Sequence, residues 1–145
     1  MKFVNPKRIR FQHCDPAGIV FYPQYYILLH ETQEDFFLHI GYSLNHIIDE
    51  GSGVPIVDMK TQFCGMCRLG DEVEIELSIS KLGGSSVCME YEIFGANKQK
   101  NIQRELKLKA TGTIVYVDLA SNKPTKLPEK FRTALEPYLE ITPDA

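Results

Sequence analysis

The chain contains one long segment with helical periodicity, and strand-like alternation accounts for most of the rest. Pro23 suits the first turn of a helix, because its φ is fixed and its missing N–H would have no partner there. Gly41 is typical of a helix end. At about 100° per residue, Glu31, Glu34 and Asp35 fall opposite an apolar stripe. That stripe, predicted to be the buried side of a long helix, consists of Tyr22, Tyr25, Tyr26, Leu29, Phe36, Phe37 and Ile40.

Five segments outside this helix read as strands. The clearest alternates strictly between apolar and polar residues from Val73 to Ile79. Gly83-Gly84 is typical of a hairpin turn leading into the next strand. Pro6 interrupts the first strand, which is therefore expected at a sheet edge. The other four predicted strands are Phe3–Phe11, Val54–Phe63, Val87–Ile93 and Leu106–Tyr116.

The polar positions of these strands predict a sheet that is covered on one side and solvated on the other. Ser43 is suited to cap a short second helix, and a further short helix is expected over 128–139, frayed or kinked at Pro137. Strands combined with one long helix predict an α+β fold, in a single domain spanning residues 1–145. The solvated face is assigned to Glu74, Glu76, Glu90, Glu92, Lys107 and Lys109.

Composition narrows the function classes. With 145 residues, 43% hydrophobic and 24% charged, the chain is typical of one globular domain. The formal net charge of −3 argues against a nucleic-acid binder. No apolar run reaches the roughly 18 residues that a membrane span requires. The N-terminus lacks the apolar run of a secretion signal, so we predict a cytoplasmic protein with reduced cysteines.

Two cysteine-containing motifs do not favour a metal site or a catalytic thiol. Cys64-Gly-Met-Cys67 has the spacing of a zinc-binding pair, but a structural zinc site needs four ligands and no second pair exists. Both thiols are predicted to be buried in a strand. His13 and Cys14 are adjacent on an extended segment and point to opposite sides, which disfavours a nucleophile–base pair. No metal and no separate cofactor is expected.

Asp15-Pro-Ala-Gly18 is the strongest candidate for chemistry. On its own it fits a type I turn, with Asp, Pro and Gly at their preferred positions. The helix that follows has no donor at Pro23, so its unpaired N–H groups are predicted at Tyr22, Gln24 and Tyr25. Together with the helix dipole they would stabilise an oxyanion close to a carboxylate. This pair suits a thioester, because a thiol of pKa about 8.5 leaves without a strong general acid.

The segment from Asp15 to Tyr25, together with the later Val54-Pro-Ile-Val57, resembles the hotdog-fold acyl-CoA thioesterases. The chain is similar to the 4-hydroxybenzoyl-CoA thioesterase family of the Pseudomonas type, to which the Tol–Pal-cluster thioesterases are related, along almost its whole length. The resemblance implies a hotdog fold, an antiparallel sheet wrapped around one long central helix. It also implies hydrolysis of acyl-CoA, with aromatic groups such as 4-hydroxybenzoyl among the candidate acyl groups and CoA belonging to the substrate.

By the same resemblance, Asp15 is the catalytic carboxylate and the backbone N–H of Tyr22 polarises the thioester carbonyl. A second hotdog lineage uses a helix Glu, but Glu31 and Glu34 lie opposite the apolar stripe. The carboxylate is expected either to attack the carbonyl or to activate water. The substrate-binding residues implied here are Gly18, Ile19, Val20 and Phe21, of which the last three would form an apolar wall for the acyl group.

The chain departs from the family at the turn where the CoA phosphates bind. The family has a basic cluster at the hairpin turn where this chain has Lys81-Leu-Gly-Gly-Ser-Ser86, with one cation. Either Lys81 acts with lysines elsewhere, such as Lys98 and Lys100, or the nucleotide is held loosely. A phosphopantetheine-bearing carrier protein is the alternative substrate.

The sequence leaves two alternative functions open and predicts an assembly. A hotdog hydratase or dehydratase would need a catalytic histidine, for which His13 is the candidate. A non-catalytic acyl-CoA-binding module is the other alternative. An open sheet edge predicts a homodimer with a continuous sheet and shared active sites. Ile27 and Leu38, on the far side of the helix, favour a tetramer formed through helices.

Overall fold

The computed structural model describes residues 1–140, and the segment 141–145 lies outside the described residues. The helices are α1 (Tyr22–His39), α2 (Leu44–Asp49) and α3 (Glu129–Leu135), with 3-10 turns at Phe11–His13 and Glu136–Tyr138. The strands are β1 (Phe3–Arg8), β2 (Ser52–Gly53), β3 (Ile56–Phe63), β4 (Glu72–Leu82), β5 (Ser86–Asn97), β6 (Ile102–Val115), β7 (Val117–Asp118) and β8 (Lys123–Pro124).

Five strands form one antiparallel sheet in the order β1-β4-β5-β6-β3, and β2, β7 and β8 form a small second sheet. The hairpin predicted at Gly83-Gly84 joins β4 to β5, and Gly83 N–H donates to the carbonyl of Ser86 at 2.8 Å. The predicted edge strand is confirmed, because β1 lies at one end of the sheet. It continues through Pro6, which lies opposite Glu74, and it ends at Arg8 rather than Phe11.

The covered face of the sheet packs against α1. The predicted alternation is confirmed in β4, where Val73, Ile75, Leu77 and Ile79 are all buried. On the other face Arg104 donates to Glu74 and Glu76, each at 2.8 Å, as expected of a solvated surface. None of the helices within residues 1–140 is both long and apolar enough to cross a membrane.

The predicted bounds of the helices are largely confirmed. Pro23 lies in the first turn of α1, and Gly41 follows its end with a φ of +78°. Ser43 caps α2 by accepting a hydrogen bond from His46 N–H at 3.2 Å. The C-terminal helix changes to a 3-10 turn at Glu136, immediately before Pro137, which removes a backbone donor.

The buried face of α1 differs from the predicted stripe. Tyr22 and Tyr26 are 62% and 37% exposed, because the first turns of the helix are left open on this side. Leu28, Thr32 and Gln33 are buried instead, so the covered face is rotated relative to the one predicted. Thr32 is accommodated because its hydroxyl donates to the carbonyl of Leu28 at 2.9 Å.

Two other predictions about burial are wrong. Lys107 is only 3% exposed rather than solvated, since its ammonium pairs with Glu105 at 2.9 Å where the register of β6 shifts. Cys64 is exposed in the loop after β3, whereas Cys67 is fully buried as expected. The Cys-x-x-Cys spacing therefore does not bring two thiols into one environment.

Candidate active site

Asp15 lies at the tip of a tight loop between the first 3-10 turn and α1. Gly18 N–H donates to the Asp15 carbonyl at 2.9 Å, which confirms the predicted turn, and Gly18 has a φ of +77°. Ala17 N–H donates to Asp15 Oδ1 at 2.8 Å. Oδ2 accepts no hydrogen bond from the side chains and turns of residues 1–140. The loop thus orients the half-exposed carboxylate and leaves one oxygen available to a substrate.

A short antiparallel ladder connects this loop to the start of α1. Asp15 N–H donates to Ile19 O, Cys14 lies opposite Val20, and Phe21 N–H donates to His13 O, the two hydrogen bonds each being 2.9 Å. Because both ends of the ladder are fixed by hydrogen bonds, the carboxylate and the helix terminus form one structural unit.

The start of α1 presents fewer free donors than the sequence predicts. Gln24 N–H is not one of them, since it donates to the Phe21 carbonyl at 2.8 Å. Tyr22 N–H has no acceptor outside its own helix among residues 1–140. At the first helical position, that N–H is the donor best placed to meet a ligand at the positive end of the helix dipole.

His13 is a structural residue of this unit. It is 4% exposed, and its Nδ1 accepts a hydrogen bond from Arg10 N–H at 2.8 Å. Burial lowers the pKa of His13 below its usual 6.5, outweighing the opposing effect of Glu31. The neutral, hydrogen-bonded imidazole fixes the backbone of this segment, in which the His13 carbonyl accepts the hydrogen bond from Phe21 N–H.

We expect this histidine to make folding stability depend on pH. Its pKa is lower in the folded than in the unfolded chain, so its contribution is complete above 6.5 and is lost as the pH falls below that value. Protonation at Nδ1 would also remove the acceptor for Arg10 N–H. Between about pH 7.5 and about pH 5, the melting temperature should therefore fall further for wild type than for His13→Asn. Equal losses in the two proteins would exclude this role.

The predicted acyl wall is only partly open. Ile19 is half-buried and lies opposite Arg68, and Val20 is 8% exposed within the core. Phe21 is 50% exposed and its ring centroid is 5.6 Å from that of Tyr22. Of these three residues, Phe21 presents the most surface at the helix start.

Lys81 lies far from Asp15 within one chain. It is exposed near the end of β4, opposite Cys88, whereas the Asp15 loop adjoins the segment that leads into the start of β4 at Glu72. With about 3.3 Å per residue, nine residues of strand separate the two ends by about 30 Å. Lys81 can contribute to the Asp15 site only from a second copy.

An apolar cavity of about 290 Å³ opens between α1 and the strands of the sheet. Gln33 lines it with a side chain that is 2% exposed, and its Oε1 has no hydrogen-bond partner in residues 1–140. Gln33 was not among the site residues predicted from the sequence, although a glutamine next to an apolar stripe was the available signal. The cavity is lined by Tyr26, Leu29, His30, Gln33, Ile56, Met59 and Tyr91.

A second, polar cavity of about 420 Å³ lies between the loop over 64–71 and the β5–β6 turn. Lys98 and Lys100, named as alternatives to Lys81, line it, and so does Arg68, which the sequence analysis did not single out. This cavity is on the same side of the fold as the Asp15 loop, because Leu69 N–H donates to the Gly18 carbonyl at 2.9 Å.

Comparisons with known proteins identify relatives of this chain. The Thioesterase-like superfamily matches residues 9–135. The 1,4-dihydroxy-2-naphthoyl-CoA hydrolase of Synechococcus elongatus is 30% identical over 140 residues, covering 94% of this chain and 93% of that protein. The 4-hydroxybenzoyl-CoA thioesterase of a Pseudomonas species is 29% identical over 90 residues, 60% of this chain and 64% of that protein.

Solved structures give the same result for the fold. The crystal structure of a 1,4-dihydroxy-2-naphthoyl-CoA thioesterase from Synechocystis superposes with a TM-score of 0.82 at 26% identity, covering 93% of this chain and 96% of that one. The predicted α+β hotdog fold and the predicted resemblance are therefore confirmed. Because the matched region spans most of its length, the chain belongs to the Thioesterase-like superfamily.

Proposed function

We propose that this protein hydrolyses acyl-CoA thioesters at the Asp15 loop. One observation supports this most directly: a turn-held carboxylate with a free oxygen is linked by a hydrogen-bonded ladder to an unpaired N–H at the helix start. A carboxylate and a preorganised donor are the two groups that thioester cleavage needs. The relatives named above act on acyl-CoA thioesters, which supports the same substrate class.

The reaction uses Tyr22 N–H to bind the carbonyl oxygen of the thioester as negative charge develops on it. In the first route, Asp15 attacks the carbonyl carbon and the C–S bond breaks, giving a mixed anhydride and the CoA thiolate. Water then cleaves the anhydride and restores the carboxylate. In the second route, Asp15 takes a proton from the water that attacks the carbonyl. Both routes release a thiol of pKa about 8.5, which needs little protonation to leave.

The acyl group fits the apolar cavity beside α1. Its walls suit an aromatic ring, and the unpaired Gln33 Oε1 favours an acyl group that carries a hydrogen-bond donor such as a hydroxyl. Two named relatives act on hydroxylated aromatic acyl-CoA esters, consistent with that chemistry. Ile19, Val20 and Phe21 would then border the thioester rather than enclose the ring.

Release of free thiol from a panel of esters tests the proposal. The panel should pair 4-hydroxybenzoyl-CoA with benzoyl-CoA, and include a dihydroxynaphthoyl, a short-chain and a long-chain ester. We expect the hydroxylated aromatic esters to be hydrolysed fastest. Binding of these esters without thiol release would instead indicate the non-catalytic acyl-CoA-binding module.

We further propose a two-fold dimer formed by the β3 edge. Val57 and Phe63 are 60% and 51% exposed on this strand, which has no partner on its outer side among residues 1–140. Antiparallel pairing of two β3 strands would extend the sheet across both subunits. Ile27 and Leu38, 47% and 67% exposed, would remain available for a tetramer formed through α1.

Light scattering should therefore give at least a dimer mass at micromolar concentration. Val57→Glu is expected to weaken the dimer, because a charge would be buried in the new interface. Val4→Glu is the matched control, since Val4 is 44% exposed on the opposite edge strand, β1. A monomeric wild type, or equal effects of the two substitutions, would contradict assembly through β3.

The cytoplasmic location predicted from the sequence is part of the same proposal. In that compartment the four cysteines are predicted to be reduced. CoA esters are the substrate class proposed here, and a carrier-protein thioester is the alternative that a shared phosphopantetheine arm allows.

A further inference from the structure

We propose that the polar cavity beside the Asp15 loop binds the phosphates of the CoA nucleotide, through Arg68, Lys98 and Lys100. This inference rests on the proposed function, because it assigns a binding site to the nucleotide part of the same acyl-CoA substrate. It places the phosphate site at the β5–β6 turn of the chain that supplies Asp15, and not at the Lys81 hairpin.

The charge of the cavity supports an anionic ligand. Its lining carries four cations, Arg68, Lys98, Lys100 and Lys107, against two acids, in a chain whose net charge is −3. Arg68, Lys98 and Lys100 are exposed and take part in no ion pair among residues 1–140. Three unpaired cations around one concave surface are suited to several phosphate oxygens.

The two acids of the cavity are already engaged. Glu105 accepts from Lys107 Nζ at 2.9 Å and from Asn97 Nδ2 at 3.0 Å, and these hydrogen bonds lower the pKa of its carboxyl group. Asp71 Oδ2 accepts from the backbone N–H of Arg68 at 2.8 Å. Lys107 offsets the charge of Glu105, and the three other cations outnumber the one remaining carboxylate, Asp71, so positive charge is left over for a ligand.

The floor of the cavity is a built structure. Lys107 is 3% exposed, and its ammonium is held by an ion pair with the partly exposed Glu105. A Cβ atom at Gly65 would come within 2.8 Å of Glu105 Oε1, so the loop approaches this closely because residue 65 is glycine. The loop over 64–71 therefore packs directly on the pair, and the free cations lie around it.

The same loop forms the boundary between the cavity and the catalytic unit. Val20 N–H donates to Cys67 O at 3.0 Å, and Arg68 lies opposite Ile19. Paired residues are about 5 Å apart, so the Arg68 backbone lies within about 10 Å of Asp15. The pantetheine arm of CoA separates the thioester from the pyrophosphate, so a substrate held at the Asp15 loop can extend its phosphates towards Lys98 and Lys100 in the adjoining cavity.

The double variant Lys98→Gln/Lys100→Gln tests the assignment, with Lys81→Gln as the matched control. We expect the double variant to raise KM for an acyl-CoA by about tenfold or more at unchanged kcat, since charge-assisted contacts to phosphate are lost. KM for the N-acetylcysteamine thioester of the same acid, which lacks the nucleotide, should not change. The difference in KM for the acyl-CoA between the double variant and wild type should become smaller as the salt concentration is raised.

Calorimetry with adenosine 3′,5′-bisphosphate separates this inference from the proposed function. Wild type and Lys81→Gln should bind this nucleotide equally, and the double variant should bind it about tenfold or more weakly. Equal binding by all three proteins, or loss only in Lys81→Gln, would overturn the inference while hydrolysis remained intact. If no ester were hydrolysed but the nucleotide bound as expected, the cavity assignment would stand and the proposed reaction would be wrong.

Discussion

Asp15→Asn is expected to lower kcat by about 10²–10⁴-fold while leaving the fold intact. An amide is neither a nucleophile nor a base at neutral pH, so both routes to thioester cleavage are lost. The turn should survive, because an Asn Oδ1 can accept the hydrogen bond from Ala17 N–H that is 2.8 Å long in the native loop. The free energy of unfolding should change by about 1 kcal/mol or less.

Asp118→Asn is the control for this substitution. Asp118 also orders a turn, accepting from Ser121 N–H at 3.0 Å, but it lies in β7 of the small sheet. The Asp118→Asn variant should keep the wild-type kcat, and its free energy of unfolding should change about as much as that of Asp15→Asn. If Asp15→Asn folded normally and hydrolysed the best ester within about threefold of wild type, Asp15 would be a turn residue only. Glu31 and Glu34 of α1 would then be the next acids to test.

Tyr22→Pro should lower kcat by about 10²–10³-fold, the usual effect of losing one oxyanion donor. Proline removes the backbone N–H together with the exposed Tyr22 ring, and no hydrogen bond of the fold is lost, because that N–H has no acceptor outside its own helix in residues 1–140. Phe21 has φ −72° and ψ 124°, a conformation that a following proline favours. The start of α1 also tolerates the fixed φ of proline.

Tyr22→Ala is the matched control, since it shortens the side chain but retains the N–H. The Tyr22 ring is 62% exposed, so its loss should cost little stability. We expect the alanine variant to keep a kcat close to wild type and the proline variant to lose it, with both melting close to wild type. Equal activity of the two variants would show that the carbonyl oxygen is stabilised elsewhere.

The sequence was informative where local chemistry decides structure. The alternation in β4, the hairpin at Gly83-Gly84 and the start of α1 at Pro23 were all predicted, because each depends on residues close together in the chain. The Asp15 loop was predicted for the same reason, since its turn and its Asx hydrogen bond form within four residues. The assignment of Asp15 and Tyr22 to catalysis stays a prediction that the variants above test.

Predictions were wrong where contacts distant in sequence decide burial. The orientation of α1 is set by the sheet that covers it, so Tyr22 and Tyr26 are exposed while Gln33 is buried beside a cavity. Lys107 is buried because the β6 register shift and Glu105 provide a partner, neither of which alternation reveals.

The sequence by itself determined the family, the order of the principal elements and the loop that carries Asp15, because these depend on local periodicity and on a contiguous motif. Only the tertiary structure decided which charges meet. It placed Lys81 at the opposite end of β4 and gathered Arg68, Lys98 and Lys100 around one cavity. The physical reason is that antiparallel pairing joins residues far apart in the chain and separates the two ends of a single strand.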